Sequence, residues 1–332
     1  MVTPHGERRV ALCFAVASAA AVLAALASLL LGSVPLSPGE VVSALLGNGS
    51  PETLAIVRGL RLPRALLGLL VGGSLALSGA SLQALLGNPL ADPYLLGVSG
   101  GAACGTLVAA VLGLARAGGF AVPLAGFAGA LAAVVLVGVG ASVRGRLDRG
   151  RLLLSGVVVN ALCSAVLLFL LSIGKTSDTQ GFVFWMLGSL AGATGKSVVS
   201  LAVYSALGFA VLFALAPAFD ALTLGEETAE TLGVPVEGVK RIAYVAASLL
   251  AAAAVASAGI IGFVGLLVPH LARRFVRSHR LLLVLSFLGG GALLTSSDVL
   301  ARVLFAPAEI SVGAITALIG APLFLVLLRK QA

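Results

Sequence analysis

The residues able to do chemistry are few and fall into small groups. Of 332 residues, 21 are Lys or Arg, 13 are Asp or Glu and three are His. A cationic run, Arg58, Arg61 and Arg64, lies early in the chain; Glu226, Glu227 and Glu230 cluster later; Asp298, Arg302 and Glu309 follow near the end. No His-Glu-x-x-His occurs, and no Ser/His/Asp grouping stands in a recognisable context. His5, His270 and His279 are too dispersed to specify a metal site and read as interfacial hydrogen-bonding groups. Cys13, Cys104 and Cys163 each sit inside an apolar run and read as small core hydrophobes, so neither a disulfide frame nor a metal site is expected. The stretch from Leu190 to Gly195-Lys196-Ser197 nearly matches the phosphate-cradling Gly-x-x-x-x-Gly-Lys-Ser/Thr loop. Leu190 replaces its first glycine and no strand precedes it, so no nucleotide site is assigned and any ATP must be handled by another subunit.

The elements that must position these groups are membrane spans. Hydrophobic residues make up 59% of the chain and charged residues 10%, with a mean hydropathy of +1.13; soluble domains carry roughly 25% charged residues. Continuous Ala/Leu/Val runs, not two-residue alternation, exclude a β-barrel and leave helices. Apolar runs of about 20 residues, separated by Gly, Pro and charge, predict ten spans near 10–32, 62–86, 94–114, 120–142, 151–173, 197–217, 241–260, 261–276, 281–298 and 309–328. The first is read as a retained span, because it is longer than a typical signal-peptide core. With the N-terminus inside, the inner segments hold 14 of the 21 Lys and Arg and the outer ones 7, which places both termini in the cytoplasm. The net charge of +8 is then membrane anchoring, not a nucleic-acid surface. Ion-driven transporters and membrane-embedded enzymes place ionisable groups at membrane depth. Here every Asp, Glu, Lys and Arg falls in a loop or near a span end, with Asp298 and Glu309 nearest the interior. An ATP-independent secondary transporter, the alternative of another class, is therefore poorly supported.

The 42 glycines, many inside spans, allow close helix approach. Two segments are more than connections. The outer stretch 33–64 carries Pro35, Pro38, Pro51 and Pro63 and ends in the arginine run; the inner stretch 219–239 is polar and able to form a helix. Both read as docking surfaces within a single transmembrane domain covering 1–332.

Ordered motifs bring a family into view. Arg61-Leu-Pro-Arg64, the run from Gly79 through Gln83, Asn88-Pro89, Asp92-Pro93 and Gly97 to Gly101, Trp185-Met-Leu-Gly188, Leu224-Gly225-Glu226-Glu227, Gly259 through Gly265 to Pro269-His270, and Glu309-Ile-Ser-Val-Gly313 together resemble the FecCD-type ABC importer permeases, which take up ferric siderophores, haem and vitamin B12. The resemblance runs from about residue 55 to the end. Ser311 departs from it, standing where the family commonly has proline. It implies an all-α integral membrane fold with ten transmembrane helices, the type II ABC importer permease architecture. It also implies a second copy of the chain, two ATP-binding subunits that hold ATP and Mg, an extracytoplasmic substrate-binding protein, and no cofactor in this chain. Segment 219–239 would be the coupling region, with Gly225 and Gly233 setting turns and Glu226, Glu227, Ala229 and Leu232 presenting the contact face. Arg61, Arg64 and Arg302 would pair with carboxylates of the binding protein, as the rigid guanidinium fork suits. Gln83, Asn88, Pro89, Pro93, Gly97, Gly265 and Pro269 would shape the pathway wall, and loop 144–151 matches by position the one that closes the inner gate. The cargo expected first is a ferric siderophore or related metal chelate, with vitamin B12 and then haem as alternatives.

Overall fold

The computed structural model describes residues 4–114, 121–173, 182–183, 185–304, 306 and 308–329. Arg116, Lys175 and Lys330, counted among the loop cations, lie outside them. Helices run over Pro4–Leu30 (α1), Pro38–Leu46 (α2), Pro51–Leu86 (α3), Val98–Val111 (α4), Ala121–Ala141 (α5), Arg149–Ile173 (α6), Gly195–Ala214 (α7), Ala216–Leu222 (α8), Glu226–Thr231 (α9), Val236–Ala258 (α10), Val264–Ala272 (α11), His279–Val303 (α12) and Val312–Arg329 (α13). A hairpin of two-residue strands, Ser142–Val143 (β1) and Arg146–Leu147 (β2), joins α5 to α6. Its turn residues Arg144 and Gly145 have φ of 50° and 78°, the paired left-handed conformation of a type I′ turn.

Seven of the helices among the described residues are long and apolar enough to cross a membrane: α1 from Val10, α3, α5, α6, α7, α10 and α12. Each of the ten expected runs contains a helix, but α4 and α13 are shorter. The run expected over 261–276 is reduced to the nine residues of α11. Nine residues rise about 14 Å, under half of a ~30 Å hydrocarbon core. The reason is local: Gly259 caps α10 at φ 73° and Phe263, at φ 69°, begins α11, so the chain runs irregularly between them. The outer stretch expected to end at 64 is also revised, since Pro51 starts a helix that continues without interruption into the second span.

Helix α3 is the central post. In its most apolar window 83% of residues are buried, against 6% for α1 and 17% for α6, so α1 and α6 present apolar surface outward. Glycines set the approach of its neighbours. A methyl group on Gly79 would collide with the carbonyl of Gly265, and one on Gly265 would lie 2.9 Å from the Leu75 carbonyl oxygen. Backbone therefore packs on backbone between α3 and α11, as small residues permit in lipid. Gly79→Val is expected to force these helices apart and cost about 3 kcal/mol. Thermal unfolding in detergent measures it, and an unchanged midpoint would contradict the contact.

Cys104 and Cys163, distant in sequence, are neighbours: the Cys104 thiol donates to the Cys163 carbonyl at 3.3 Å, and both are free thiols. The near-phosphate loop resolves as a helix start. Thr194 caps α7, accepting from the Ser197 amide at 3.2 Å, while the Ser197 hydroxyl accepts from the Thr194 amide at 2.9 Å. The capping box thus occupies amides that a phosphate would need.

Candidate functional site

Two ends of the bundle gather the polar residues. At the first, α3 opens with a π-helical stretch, Ala55–Arg61, a widened turn that often marks functional positions. Arg58 and Arg61 reach back from it to the ends of earlier helices. Arg58 donates to the Leu45 carbonyl at 2.8 Å. Arg61 donates to the carbonyls of Leu29 at 2.8 Å and Leu30 at 3.0 Å, and to that of Val34. The last carbonyls of a helix lack intrahelical donors and carry the negative end of its dipole, so Arg61 is the C-terminal cap of α1. Only 4% of Arg61 is exposed.

Arg64 and Arg302 meet at Asp298. Arg64 donates from Nε and Nη2 to the Asp298 carboxylate at 3.0–3.1 Å and from Nη1 to Glu309 at 3.1 Å. Arg302 pairs with Asp298 at 3.1 Å and donates to the Ser28 hydroxyl at 2.8 Å. This ties α1, α3, α12 and the approach to α13 at one point. The structure thus brings the three anticipated arginines together around one small cavity of about 120 Å³, but it corrects the role expected for two of them. Arg61 and Arg302 are buried and committed to groups of this chain, because the helix-end carbonyls and Asp298 need cations. Arg64 is the member with an exchangeable partner, since the Glu309 side chain is 43% exposed. The chain does hold a buried charge cluster that the sequence placed only near a span end; it lies in the last two turns of α12, where it fastens helices.

The opposite end carries segment 219–239. Gly225 (φ 109°) and Gly233 (φ 83°) adopt positive-φ backbone at the two ends of α9. The contact face is corrected in part. Ala229 is fully buried, and Glu226 turns inward to pair with Arg149 at 2.7 Å and Lys240 at 3.1 Å. Helical geometry sends 226 and 229 to one side and 227 and 230 to another. Glu227 and Glu230 are exposed, as are Leu232 at 64% and Leu224 at 65%.

Glu226 is one node of a lattice that sequence reading missed. Lys240 also pairs with Glu237 at 2.7 Å, and Glu237 accepts from the Leu147 amide of the hairpin at 2.8 Å. Arg241 donates to the Gly145 carbonyl. The hairpin, the start of α6, α9 and α10 are therefore one ionic unit. Of its links only Glu237-x-x-Lys240 is local enough to be seen in the sequence.

Of the wall residues, Gln83 and Pro89 lie at the α9 end beside Thr223 and Gly225, and the set behaves as connectors. Gly87 ends α3 in left-handed backbone at φ 61°; the Asn88 side chain accepts from the Leu90 amide at 2.9 Å and shapes the turn through Pro89. Pro93 begins a short 3₁₀ turn capped by Asp92, and Gly97 at φ 81° ends it against Val159 of α6. Tyr94 fastens this turn to the break before α11, its hydroxyl donating to the Ile261 carbonyl at 2.8 Å and accepting from the Ile261 amide at 3.0 Å. Asn160 donates to the Tyr94 carbonyl at 2.9 Å. The Gln83 amide donates to the Leu266 carbonyl at 3.3 Å, while Gly265 and the buried Pro269 lie within α11.

A helical bundle with several membrane-length helices, polar groups gathered at both ends and a short helix held by ion pairs at one of them is the make-up of a multi-pass membrane protein. The model of the FecCD transport family matches residues 20–330, and the chain belongs to that family: it is a permease subunit of the ABC importer class, not an enzyme. It is 45% identical over 291 residues to the cobalamin import system permease protein BtuC of Halobacterium salinarum, covering 87% of this chain and 78% of that one. It is 38% identical over 312 residues to the vitamin B12 import system permease protein BtuC of Salmonella typhimurium, covering 93% and 92%. Among solved structures it resembles an inward-facing metal-chelate type ABC transporter, with a TM-score of 0.85 at 31% identity, covering 97% and 99% of the two chains.

Proposed function

We propose that this chain forms, with a second copy of itself, the membrane pathway of an importer for vitamin B12 or a closely related corrinoid. The observation that carries the cargo is the 45% identity to a cobalamin permease over most of both chains, reinforced by the bacterial relative so named at 38%. This moves vitamin B12 ahead of the ferric siderophore expected first. Both termini are cytoplasmic, ten segments cross or enter the cytoplasmic membrane, and α11 is a half-length helix supported by α3, as broken helices in transporters are when protein covers them.

ATP and Mg are held by two ATP-binding subunits beneath the α9 end. Leu224, Glu227 and Leu232 form the face that meets them, while Glu226 ties that face to the hairpin, so that closure of the ATPases moves α9 and the hairpin as one body. A binding protein docks at the Arg64 end, its carboxylate displacing the exposed Glu309 from Arg64; Arg61 and Arg302 brace the helices beneath. Asn88, Pro89, Pro93 and Gly97 fix the connection beside the pathway.

The test is uptake and ATP hydrolysis in liposomes, with the ATPase and binding protein from the same operon, offering cobalamin, ferric siderophores and haem in parallel. ATP-dependent cobalamin uptake supports the reading. ATP-dependent uptake of a siderophore alone would replace the cargo, and uptake without ATP would remove the mechanism. Leu232→Asp places a charge on an exposed surface and is expected to leave thermal stability within about 0.5 kcal/mol while lowering ATPase-coupled uptake at least about tenfold by a ~1.4 kcal/mol loss of subunit affinity. Normal uptake by this variant would move the contact face elsewhere.

A further inference from the structure

We propose that the α9 end contains a binding pocket for a phosphomonoester-type oxyanion, distinct from the nucleotide site of any partner. Between the end of α3, the start of α6, the α8–α9 turn and the end of α11 lies a cavity of about 360 Å³, whose lining includes Gln83, Gly87, Arg149, Thr223, Gly225 and Arg273. Nε of Arg149 is satisfied by its ion pair with Glu226, and three further polar atoms of this lining are buried with no hydrogen-bond partner: Nη2 of Arg149, Nε of Arg273 and Oε1 of Gln83. Gln83 is 2% exposed. Buried donors and acceptors left unmade are costly, and unlike an apolar void this space offers both kinds to one ligand.

The charges decide which ligand. Arg149 has Glu226 at 2.7 Å, which also meets Lys240, and Lys240 has Glu237. Asp220 is taken by His279 at 2.6 Å. Arg273 has only neutral acceptors, the His279 ring at 3.3 Å and the Ala80 carbonyl at 3.4 Å, and among the described residues no carboxylate pairs with it. One guanidinium charge therefore remains uncompensated at the pocket wall, and buried charges require a counter-ion. Two guanidiniums favour an oxyanion. The third unmade atom is an acceptor, so the ligand must also donate. A monohydrogen phosphate or a phosphomonoester monoanion does both: its anionic oxygens accept from Arg149 and Arg273 and its P–OH donates to Gln83. Sulfate lacks the donor. Gly87 keeps the space open, because a Cβ there would lie 2.9 Å from Nη1 of Arg149. An anion seated here joins α3, α6 and α11 beside the α9 turn.

The experiment is residue-resolved mass spectrometry of phenylglyoxal adducts on the assembled transporter in phosphatidylcholine nanodiscs, with the exposed Arg274 as internal control. At about four times Kd, inorganic phosphate leaves about a fifth of sites open, so modification of Arg149 and Arg273 slows about fivefold, while equal ionic strength of chloride has no effect and sulfate protects less. Gln83→Glu brings its own carboxylate into the pocket and is expected to protect both arginines without phosphate and to abolish the response to it; should that variant fail to assemble, Arg273→Lys, which keeps the charge but loses the fork, is expected to weaken phosphate protection of Arg149. Nanodiscs containing phosphatidic acid, without soluble phosphate, distinguish the source: protection only there assigns a lipid headgroup, and protection by soluble phosphate in neutral lipid assigns a free phosphomonoester. Equal modification rates under all conditions, or equal protection by sulfate and phosphate, would overturn the proposal.

Discussion

Asp298→Ala is expected to be the most destabilising single substitution at the Arg64 end, costing about 3–5 kcal/mol. Asp298 is 1% exposed and is the counter-ion of two arginines, Arg64 at 3.0 Å and Arg302 at 3.1 Å. Arg302 is 5% exposed and would keep only Ser28 and backbone carbonyls, so truncation leaves an uncompensated buried cation. The exposed neighbour gives the contrast: Glu309→Ala removes an ion pair screened by water and is expected to cost about 0–1 kcal/mol. Thermal unfolding of the purified permease in one detergent compares the two, and equal shifts would mean that Asp298 is not the hub. The pair also separates bracing from docking. In the proposed scheme Glu309→Ala leaves Arg64 more available to the binding protein and does not weaken its attachment, whereas Arg64→Gln weakens it with a smaller thermal shift than Asp298→Ala, because Asp298 keeps Arg302.

How far the sequence could be read depends on the range of the interactions. Helix positions were legible because apolar runs and Gly/Pro breaks are local, and the ends of α5, α6 and α7 fall within a few residues of the expected limits. Convergence of Arg61, Arg64 and Arg302 was legible through the family motifs. What those arginines do was not, because Arg61 ends on helix-end carbonyls, the Asp298 carboxylate is more than two hundred positions from Arg64, and Arg302, although four positions from Asp298, also reaches back to Ser28. The same limit explains Ala229 and Glu226. A polar stretch with three glutamates reads as uniformly outward, and only the folded position of Arg149 and Lys240 turns one glutamate inward. The shortness of α11 was hidden differently: hydropathy counts apolar residues and is blind to the left-handed Phe263, a conformation that costs a non-glycine residue about 1–2 kcal/mol and is held by packing, with Gly320 leaving no Cβ to collide with its ring.

Glu226→Arg is expected to uncouple the transporter more completely than any surface change on α9. The substitution replaces the shared counter-ion of Arg149 and Lys240 with a third cation, and Lys240 is 3% exposed. The side chain of Glu226 is 34% exposed, so water screens part of the repulsion and the fold survives; the effect falls on the attachment of α9 to the hairpin. A helix that is no longer fastened there can follow the ATPases without moving the inner end of the bundle. ATP hydrolysis is therefore expected to persist while uptake falls at least about tenfold, a ~1.4 kcal/mol loss of coupling. A contact-face variant such as Leu232→Asp behaves differently, losing hydrolysis stimulation and uptake together because the subunits no longer engage. Reversal supplies the decisive arm: Glu226→Arg combined with Arg149→Glu restores one opposite-charge pair across the same gap, and Glu237 remains to hold Lys240. Partial recovery of uptake in the double variant, with hydrolysis unchanged, assigns the loss to that pair. If the double variant is no better than Glu226→Arg alone, α9 is not driving the hairpin through Glu226, and the transmission must run through α8 and the Asp220–His279 contact on α12 instead.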